Sequence, residues 1–234
     1  MPWLGAISGD TSASARRRTE SEIEFILETA GRYLLKAPTR ADVLSVFVGI
    51  RPLVKSGEGT LTAALSRDHT IHFDASGLLT TTGGKWTTYR NMAEHTVDQA
   101  ADFARLAERP CITRTLNVHA FHSNAERFGP LRVYGADAIG IQELMRATPS
   151  LAAPLHADLP YTGAEVVWAT RHEMARTVED VLARRTRALF LNVRAAEAMA
   201  PAVARLMAPE LAWDDARQSA EVAAFLALAA GYRL

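Results

Sequence analysis

The sequence predicts an α+β chain in which an incomplete mixed or antiparallel sheet is followed by an all-helical C-terminal domain. Segments with the β-branched and alternating pattern of strands occur before about residue 108. From Asp137 onward alanine is frequent and apolar residues recur at helical spacing. We therefore divide the chain into two domains, residues 1–107 and residues 108–234.

Composition limits the classes of partner. The 26 Lys and Arg residues balance 26 Asp and Glu residues, so no global field would hold nucleic acid or an acidic membrane. The single cysteine, Cys111, excludes an intrachain disulfide and fits a reducing compartment. No apolar stretch reaches the roughly 18 residues that a membrane-spanning helix needs. We expect no nucleic-acid partner, no transmembrane segment and a cytoplasmic location.

The elements of the first domain are predicted in chain order. Residues 1–9 resemble the end of a strand. The pair Thr19 and Glu22 forms a capping box, which predicts a helix from Thr19 onward. Residues 43–50 are rich in β-branched and aromatic residues and predict a buried strand. Residues 69–82 alternate around a glycine turn and predict a hairpin.

A helix is predicted after Gly83 and Gly84, which would end the second strand of that hairpin. Its apolar positions share one helical face: Tyr89, Ala93, Val97, Ala100 and Ala104. In the second domain the spacing predicts helices near 136–147, 163–175, 177–188, 192–207 and 214–230. Asp214 would cap the last of these.

The densest group of chemically useful residues follows that hairpin. Gly83 and Gly84 would let a ligand approach the backbone closely. The free N–H groups and dipole of a helix start favour an electron-rich group there. Lys85 adds a cation, and Thr87 and Thr88 add hydroxyl groups. The same spacing is also typical of a plain glycine turn whose threonines cap the helix, and spacing alone favours that simpler interpretation.

Other polar residues leave alternatives open. Arg51 precedes Pro52 after the predicted strand, where it would either form an internal ion pair or bind an anion, and Arg67 is its counterpart. The pair His119 and His122 could form half of a metal site. With one cysteine and no His-Glu-x-x-His motif, surface histidines are the better interpretation, and we predict no metal. Alternating charges along 171–187 favour ion pairs that dock helices.

Several segments together resemble the FAD-dependent, respiratory glycerol-3-phosphate dehydrogenases. In the first domain these are GIRPLV at 49–54, SRDHTI at 66–71 and GLLTTTGGKWTTYRNMAEHTVD at 77–98. In the second, YGADAIGIQEL at 134–144 and TVEDVLARRTR at 177–187 resemble that family's helical C-terminal domain. The resemblance covers nearly the whole chain.

The resemblance implies oxidation of sn-glycerol 3-phosphate to dihydroxyacetone phosphate, with FAD accepting the hydride and quinone receiving the electrons. It implies that Arg51 and Arg67 bind the substrate phosphate and that Lys85 and Thr87 are catalytic. The residues it places against the flavin are Gly83, Gly84, Lys85, Trp86 and Thr87. It also implies a peripheral location at the inner face of the cell membrane.

Two parts of that family's pattern are absent from the 234 residues. No G-x-G-x-x-G motif that would hold the ADP part of FAD is present, and no histidine stands in the context of the family's general base. We therefore expect a fragment that corresponds to the family's C-terminal portion, truncated at its N-terminal side and inactive alone. The alternatives are one subunit of a split enzyme, in which a separate chain supplies the flavin-binding half, and a non-enzymatic helical interaction module.

Overall fold

The computed structural model describes residues 19–49 and 69–234, and the chain divides into two compact units. Residues 19–48 and 119–234 belong to the larger unit, and residues 49 and 69–118 belong to the smaller unit. The boundary predicted after residue 107 stays a prediction.

Helices dominate the described residues, and two short antiparallel hairpins accompany them. The helices are α1 (Glu20–Gly31), α2 (Tyr89–Phe103), α3 (Ala138–Ala147), α4 (Gly163–His172), α5 (Ala188–Leu191), α6 (Val193–Leu211) and α7 (Asp215–Ala229). The strands are β1 (His69–Phe73), β2 (Leu79–Gly83), β3 (Pro154–His156) and β4 (Leu159–Thr162). Short 3-10 turns occupy Arg40–Asp42, Trp86–Thr88, Pro149–Ala152 and Ala230–Tyr232, and Asp180–Arg185 is a π-helix. The segment Ala125–Asp137 contains 3-10 turns interrupted by non-helical backbone at Gly129 and Gly135. The predicted α+β class, with helices dominating the C-terminal part, is confirmed.

The hairpin of the smaller unit forms as its sequence predicts. β1 and β2 are antiparallel, with His69 opposite Gly83 and Phe73 opposite Leu79. Asp74 stabilises the turn, because its Oδ1 accepts hydrogen bonds from the backbone N–H groups of Ser76 (2.8 Å) and Leu78 (3.1 Å). Gly77 adopts a φ of +85°, a conformation that glycine tolerates best.

One side of α2 packs against this hairpin. The hydroxyls of Thr81 and Thr96 lie 2.9 Å apart, and the rings of Phe73 and Phe103 stack with centroids 4.6 Å apart. The helix predicted after the glycines is therefore confirmed. Its predicted apolar face points away from the hairpin, and these positions are exposed: Tyr89, Ala93, Val97, Ala100 and Ala104.

The core of the larger unit surrounds α6, which packs against α4, α5 and α7. Fully buried side chains from α6 include Met199, Val203 and Met207, and Phe225 of α7 packs among them with 1% of its surface exposed. α7 begins as predicted, since the Asp214 side chain accepts a hydrogen bond from the backbone N–H of Arg217 at 2.7 Å. Phe225 and Ala229 are four residues apart on one face of α7, and their burial docks this face in the core around α6.

The strand predicted over 43–50 is wrong for its described residues, 43–49, which form no regular structure. This segment is hydrogen-bonded to helix ends instead of a neighbouring strand. The Ser45 hydroxyl donates to the carbonyl of Leu189 (2.7 Å) and the Val46 N–H to that of Tyr232 (2.9 Å). The Val193 N–H, at the start of α6, donates to the Leu44 carbonyl at 3.1 Å. A half-buried extended segment with these partners has the same β-branched composition as a strand.

Candidate active site

Two consecutive glycines shape the turn that links β2 to the helical segment after it. Gly83 and Gly84 have φ values of +78° and +80°. A side chain at Gly84 would begin 2.5 Å from Met92 Sδ and 3.3 Å from His69 Cβ. The turn therefore needs glycine for its backbone conformation and for the close approach of its neighbours. This brings the start of the helical segment directly against the hairpin.

Lys85 follows that turn at the start of the 3-10 turn Trp86–Thr88, which continues into α2. The Lys85 side chain is exposed, and no residue within 19–49 and 69–234 forms an ion pair with its ammonium group. Thr88 makes the local capping contacts: its hydroxyl donates to the Lys85 carbonyl at 3.0 Å and accepts from the Lys85 N–H at 3.4 Å. The capping alternative thus applies to Thr88, whereas Thr87 makes no such bond in the described parts of the chain.

Two backbone donors remain available at this helix start. The N–H of Thr88 bonds to the Lys85 carbonyl at 2.9 Å, and the N–H of Tyr89 bonds to the Trp86 carbonyl. The N–H groups of Trp86 and Thr87 have no acceptor among the described residues. Free N–H groups at a helix N-terminus carry a partial positive charge and attract electron-rich atoms. Together with the Lys85 ammonium they form a small electropositive surface.

An aromatic pair lies beside these donors. The rings of Trp86 and Tyr89 stack with centroids 5.5 Å apart and an interplanar angle of 25°. Trp86 is 87% exposed and Tyr89 is 58% exposed. The two stacked rings form a small exposed apolar surface.

The structure also joins two histidines that the sequence does not link. His69 Nε2 and His95 Nδ1 are 3.1 Å apart, which is a hydrogen-bond distance. The two residues are separated by 26 positions, and only the hairpin register and the phase of α2 bring them together. From the sequence alone, only the position of His69 at the start of a predicted strand could be recognised, and this position does not indicate its partner.

The predicted site residues fall into two groups. Gly83, Gly84, Lys85, Trp86 and Thr87 are contiguous and lie together at the start of the helical segment. Arg51 and Arg67 lie outside the described residues. Their role in binding the substrate phosphate stays a prediction.

The remaining candidates have structural roles in the described residues. Arg171 of α4 binds Glu210 of α6 through two hydrogen bonds of 2.7 and 2.6 Å, as the charge pattern predicts. His119 pairs with Asp137 at 2.9 Å, and His122 Nδ1 accepts from the Asn124 N–H at 3.0 Å. Across residues 19–49 and 69–234, no cluster of three or more His, Cys, Asp or Glu side chains is arranged to hold a metal ion.

A buried carboxyl group lies at the start of α4. Glu165 accepts hydrogen bonds from the Thr162 N–H (2.8 Å), the Thr162 hydroxyl (3.1 Å) and the Tyr134 hydroxyl (3.1 Å). Burial raises its pKa, while the Thr162 and Tyr134 hydrogen bonds oppose that rise. Burial also raises the pKa of the Tyr134 hydroxyl. Glu165 caps its own helix, so these contacts account for it structurally.

One protein family matches a segment of the chain that includes this turn. Residues 82–218, more than half of the chain, match the family described as the C-terminal domain of alpha-glycerophosphate oxidase. The chain belongs to this family. The matched residues begin in β2 and include the glycine turn, Lys85 and all of α2.

Curated relatives carry names that agree with the resemblance. A Caenorhabditis elegans protein named probable glycerol-3-phosphate dehydrogenase, mitochondrial, is 37% identical over 251 residues, covering 95% of this chain and 35% of the relative. The Mesocricetus auratus glycerol-3-phosphate dehydrogenase, mitochondrial, is 34% identical over 254 residues, covering 95% of this chain and 34% of the relative. The chain therefore spans about a third of the length of these relatives. The resemblance to glycerol-3-phosphate dehydrogenases is confirmed.

A solved structure shares the fold. The glycerol-3-phosphate dehydrogenase from Bacillus halodurans, complexed with FAD, matches with a TM-score of 0.71 at 24% identity. The match covers 97% of this chain and 48% of that chain. In the described parts of this chain, no helix has the length and apolar character that crossing a bilayer requires.

Proposed function

We propose that this chain provides part of the active site for oxidation of sn-glycerol 3-phosphate to dihydroxyacetone phosphate by an FAD-dependent dehydrogenase. The observation that carries the proposal is the electropositive helix start, where Lys85 lies beside the N–H groups of Trp86 and Thr87, which have no acceptor among residues 19–49 and 69–234. The names of the relatives and the family membership support the same reaction. Quinone is the electron acceptor in this proposal.

The residues present fit a flavin. A reduced flavin ring carries negative charge on one edge, which suits free N–H groups and a nearby ammonium group. The missing side chain of Gly84 makes room for Met92 and His69, and Trp86 and Tyr89 offer flat apolar surface. In this proposal the segment from Gly83 to Thr87 holds the ring edge. When bound, FAD supplies the capacity to accept the hydride.

The chain's own residues contribute binding and orientation. The Lys85 ammonium stabilises negative charge that develops on the substrate oxygen or the cofactor, and the Thr87 hydroxyl orients a polar atom beside it. Arg51 and Arg67 bind the phosphate ester, for which the planar guanidinium group is well suited. In this proposal the ADP-binding motif and the general base come from a flavin-binding region outside these 234 residues, which contain no G-x-G-x-x-G motif.

The test combines the chain with the flavin-binding region of a relative. Both polypeptides are co-expressed and assayed with glycerol 3-phosphate and a dye acceptor. We expect turnover in the mixture and a loss of at least about 100-fold for Lys85→Ala, a loss typical of removing a charge-stabilising group. Lys36→Ala is the matched control, because Lys36 is also an exposed lysine and lies in the larger unit.

Two outcomes would count against the proposal. Equal turnover by Lys85→Ala and the parent would remove Lys85 from the active site. Absence of turnover in a mixture that forms a stable flavin-containing complex would favour the non-enzymatic alternative. A repeat with a soluble quinone analogue as the only acceptor tests the final step, and failure there alone would exclude quinone.

A further inference from the structure

Among the described residues, side-chain contacts between the hairpin and α2 are spread along the helix. The Phe73–Phe103 stack lies toward the C-terminal end of α2, and the Thr81–Thr96 hydrogen bond lies nearer its middle. The His69–His95 contact is the one formed by the end of the hairpin that leads into the glycine turn. Of these three contacts, it alone is made by ionisable groups.

The geometry connects this histidine pair directly to the Lys85 turn. His69 lies opposite Gly83 in the β1–β2 register. Its Cβ is 3.3 Å from the point where a side chain on Gly84 would begin, and Met92 of α2 closes the same space. The imidazole bond from His69 to His95 therefore fixes β1, the glycine turn and α2 to one another. A shift of one of these elements would move the Lys85 backbone relative to the rest.

We infer that His69 and His95 are positioning residues that fix the Lys85 turn, and that protonation of both imidazoles releases it. An N–H···N bond between imidazoles needs one nitrogen with a proton and one with a free lone pair. When both rings are protonated, no acceptor remains and two cations face each other at about 3 Å. Histidine is the side chain whose change of charge is most accessible near physiological pH, so lowering the pH is the perturbation that tests the release.

Within residues 69–118, the charged groups close to His95 along α2 are Glu94, with its arginine partners, and Asp98 about one turn further on. Glu94, next to His95 on α2, is paired with Arg90 at 2.6 Å and lies 3.9 Å from Arg114. The Arg90 hydrogen bond lowers the pKa of Glu94, with a smaller contribution from the charge of His95. On the hairpin, His72 is exposed on the opposite side of β1. The turn adds only Lys85. Since Glu94 already has an arginine partner, it offers limited compensation for a second imidazolium.

The inference deepens the proposed function and rests on it for its meaning, but its test needs no turnover. Amide hydrogen exchange is measured in the full chain at Thr88 and Tyr89, whose N–H groups bond to the Lys85 and Trp86 carbonyls. After correction for intrinsic rates, we expect both amides to exchange about three- to tenfold faster at pH 5.5 than at pH 7.5. This is the change expected for loss of one net hydrogen bond.

Three variants separate positioning from a merely structural role. His95→Ala is expected to exchange fast at both pH values. His95→Asn is expected to stay protected at both, because its side-chain amide occupies the position of Nδ1 and does not titrate in this range. His72→Ala, on the exposed side of β1, is expected to behave like the parent.

The outcomes are decisive in each case. Unchanged exchange at pH 5.5 in the parent, or unchanged exchange in His95→Ala, would overturn the inference. If the Phe103 amide at the other end of α2 also exchanges faster in His95→Ala, this variant has unfolded the smaller unit. The result for His95→Asn then tests the inference. Loss of the pH response in His95→Asn supports the inference, and retention of it refutes it. A failed dehydrogenase assay would leave these exchange results unaffected, so the two proposals can fail separately.

Discussion

Replacing Gly135 by alanine is expected to destabilise the larger unit far more than the same replacement at Gly129. Both glycines have nearly the same backbone, with φ and ψ of +56° and −123° at Gly129 and +54° and −126° at Gly135. Alanine in such a conformation costs about 1–3 kcal/mol. This cost is common to the two variants, so it cancels when they are compared.

The difference between the two sites is the space available to a new Cβ atom. At Gly129 no atom lies within 4 Å of it, whereas at Gly135 it would lie 2.0 Å from the Ala120 carbonyl oxygen. That oxygen accepts a hydrogen bond from the Ala136 N–H at 2.8 Å. Moving it away costs about 1 kcal/mol for the bond and about 1–3 kcal/mol for the strain of overpacking. Gly135→Ala should therefore be less stable than Gly129→Ala by about 2–4 kcal/mol.

Urea denaturation, monitored by far-ultraviolet circular dichroism, measures this difference in the free energy of unfolding. The dependence of that free energy on urea concentration should be the same for both variants. Exchange of the Ala136 amide in the parent provides an independent readout, because the bond to Ala120 should protect it. Equal free energies of unfolding for the two variants, to within about 0.5 kcal/mol, would refute the reasoning. So would an unprotected Ala136 amide.

Further predictions concern the buried carboxyl group, the core and the surface of the larger unit. Burial raises the folded-state pKa of Glu165 above 4.5, so its contribution to stability is present at low pH and is lost as the pH rises through the raised value. The free energy of unfolding of Glu165→Gln should therefore fall less than that of the parent between pH 4.5 and 7.5. Urea denaturation midpoints at the two pH values measure this, and an equal fall in both proteins would contradict it. Phe225→Ala should lower the free energy of unfolding by about 3–5 kcal/mol because it leaves a cavity in the core. Leu226 is 39% exposed, so Leu226→Ala should lower it by less than about 1.5 kcal/mol. Thermal unfolding of the two variants measures the difference. Arg171→Ala should lower the free energy of unfolding by at most about 1 kcal/mol, because the ion pair with Glu210 is partly exposed. This loss should become smaller in 1 M salt. A larger loss that does not depend on salt would indicate lost packing instead.

Local patterns in the sequence account for much of the smaller unit. The Asp74 to Gly77 turn, the strand alternation and the two glycines before Lys85 each depend on neighbouring residues, so they could be predicted without tertiary information. The same holds for the caps at Thr19 and Asp214. These features operate within four residues or fewer.

The features that could not be predicted depend on distant partners. Residues 43–49 have a composition suited to any half-buried extended segment, and only the positions of Leu189 and Tyr232 show that no strand forms there. The His69–His95 bond requires both the hairpin register and the phase of α2. The apolar positions of α2, such as Val97, have the helical periodicity that predicts the helix. Periodicity does not indicate whether another surface buries them. The roles of Arg51, Arg67, Lys85 and Thr87 stay predictions.

The extended segment at 43–48 also has a consequence for biosynthesis. Its hydrogen-bond partners Leu189, Val193 and Tyr232 lie about 145 to 190 positions later in the chain. The full set of these contacts can form only after Tyr232 has emerged from the ribosome, so residues 43–48 remain without some of their partners until then. Contacts over such separations slow folding. Strains that express this chain should accumulate more of it when chaperones protect the nascent polypeptide during that interval.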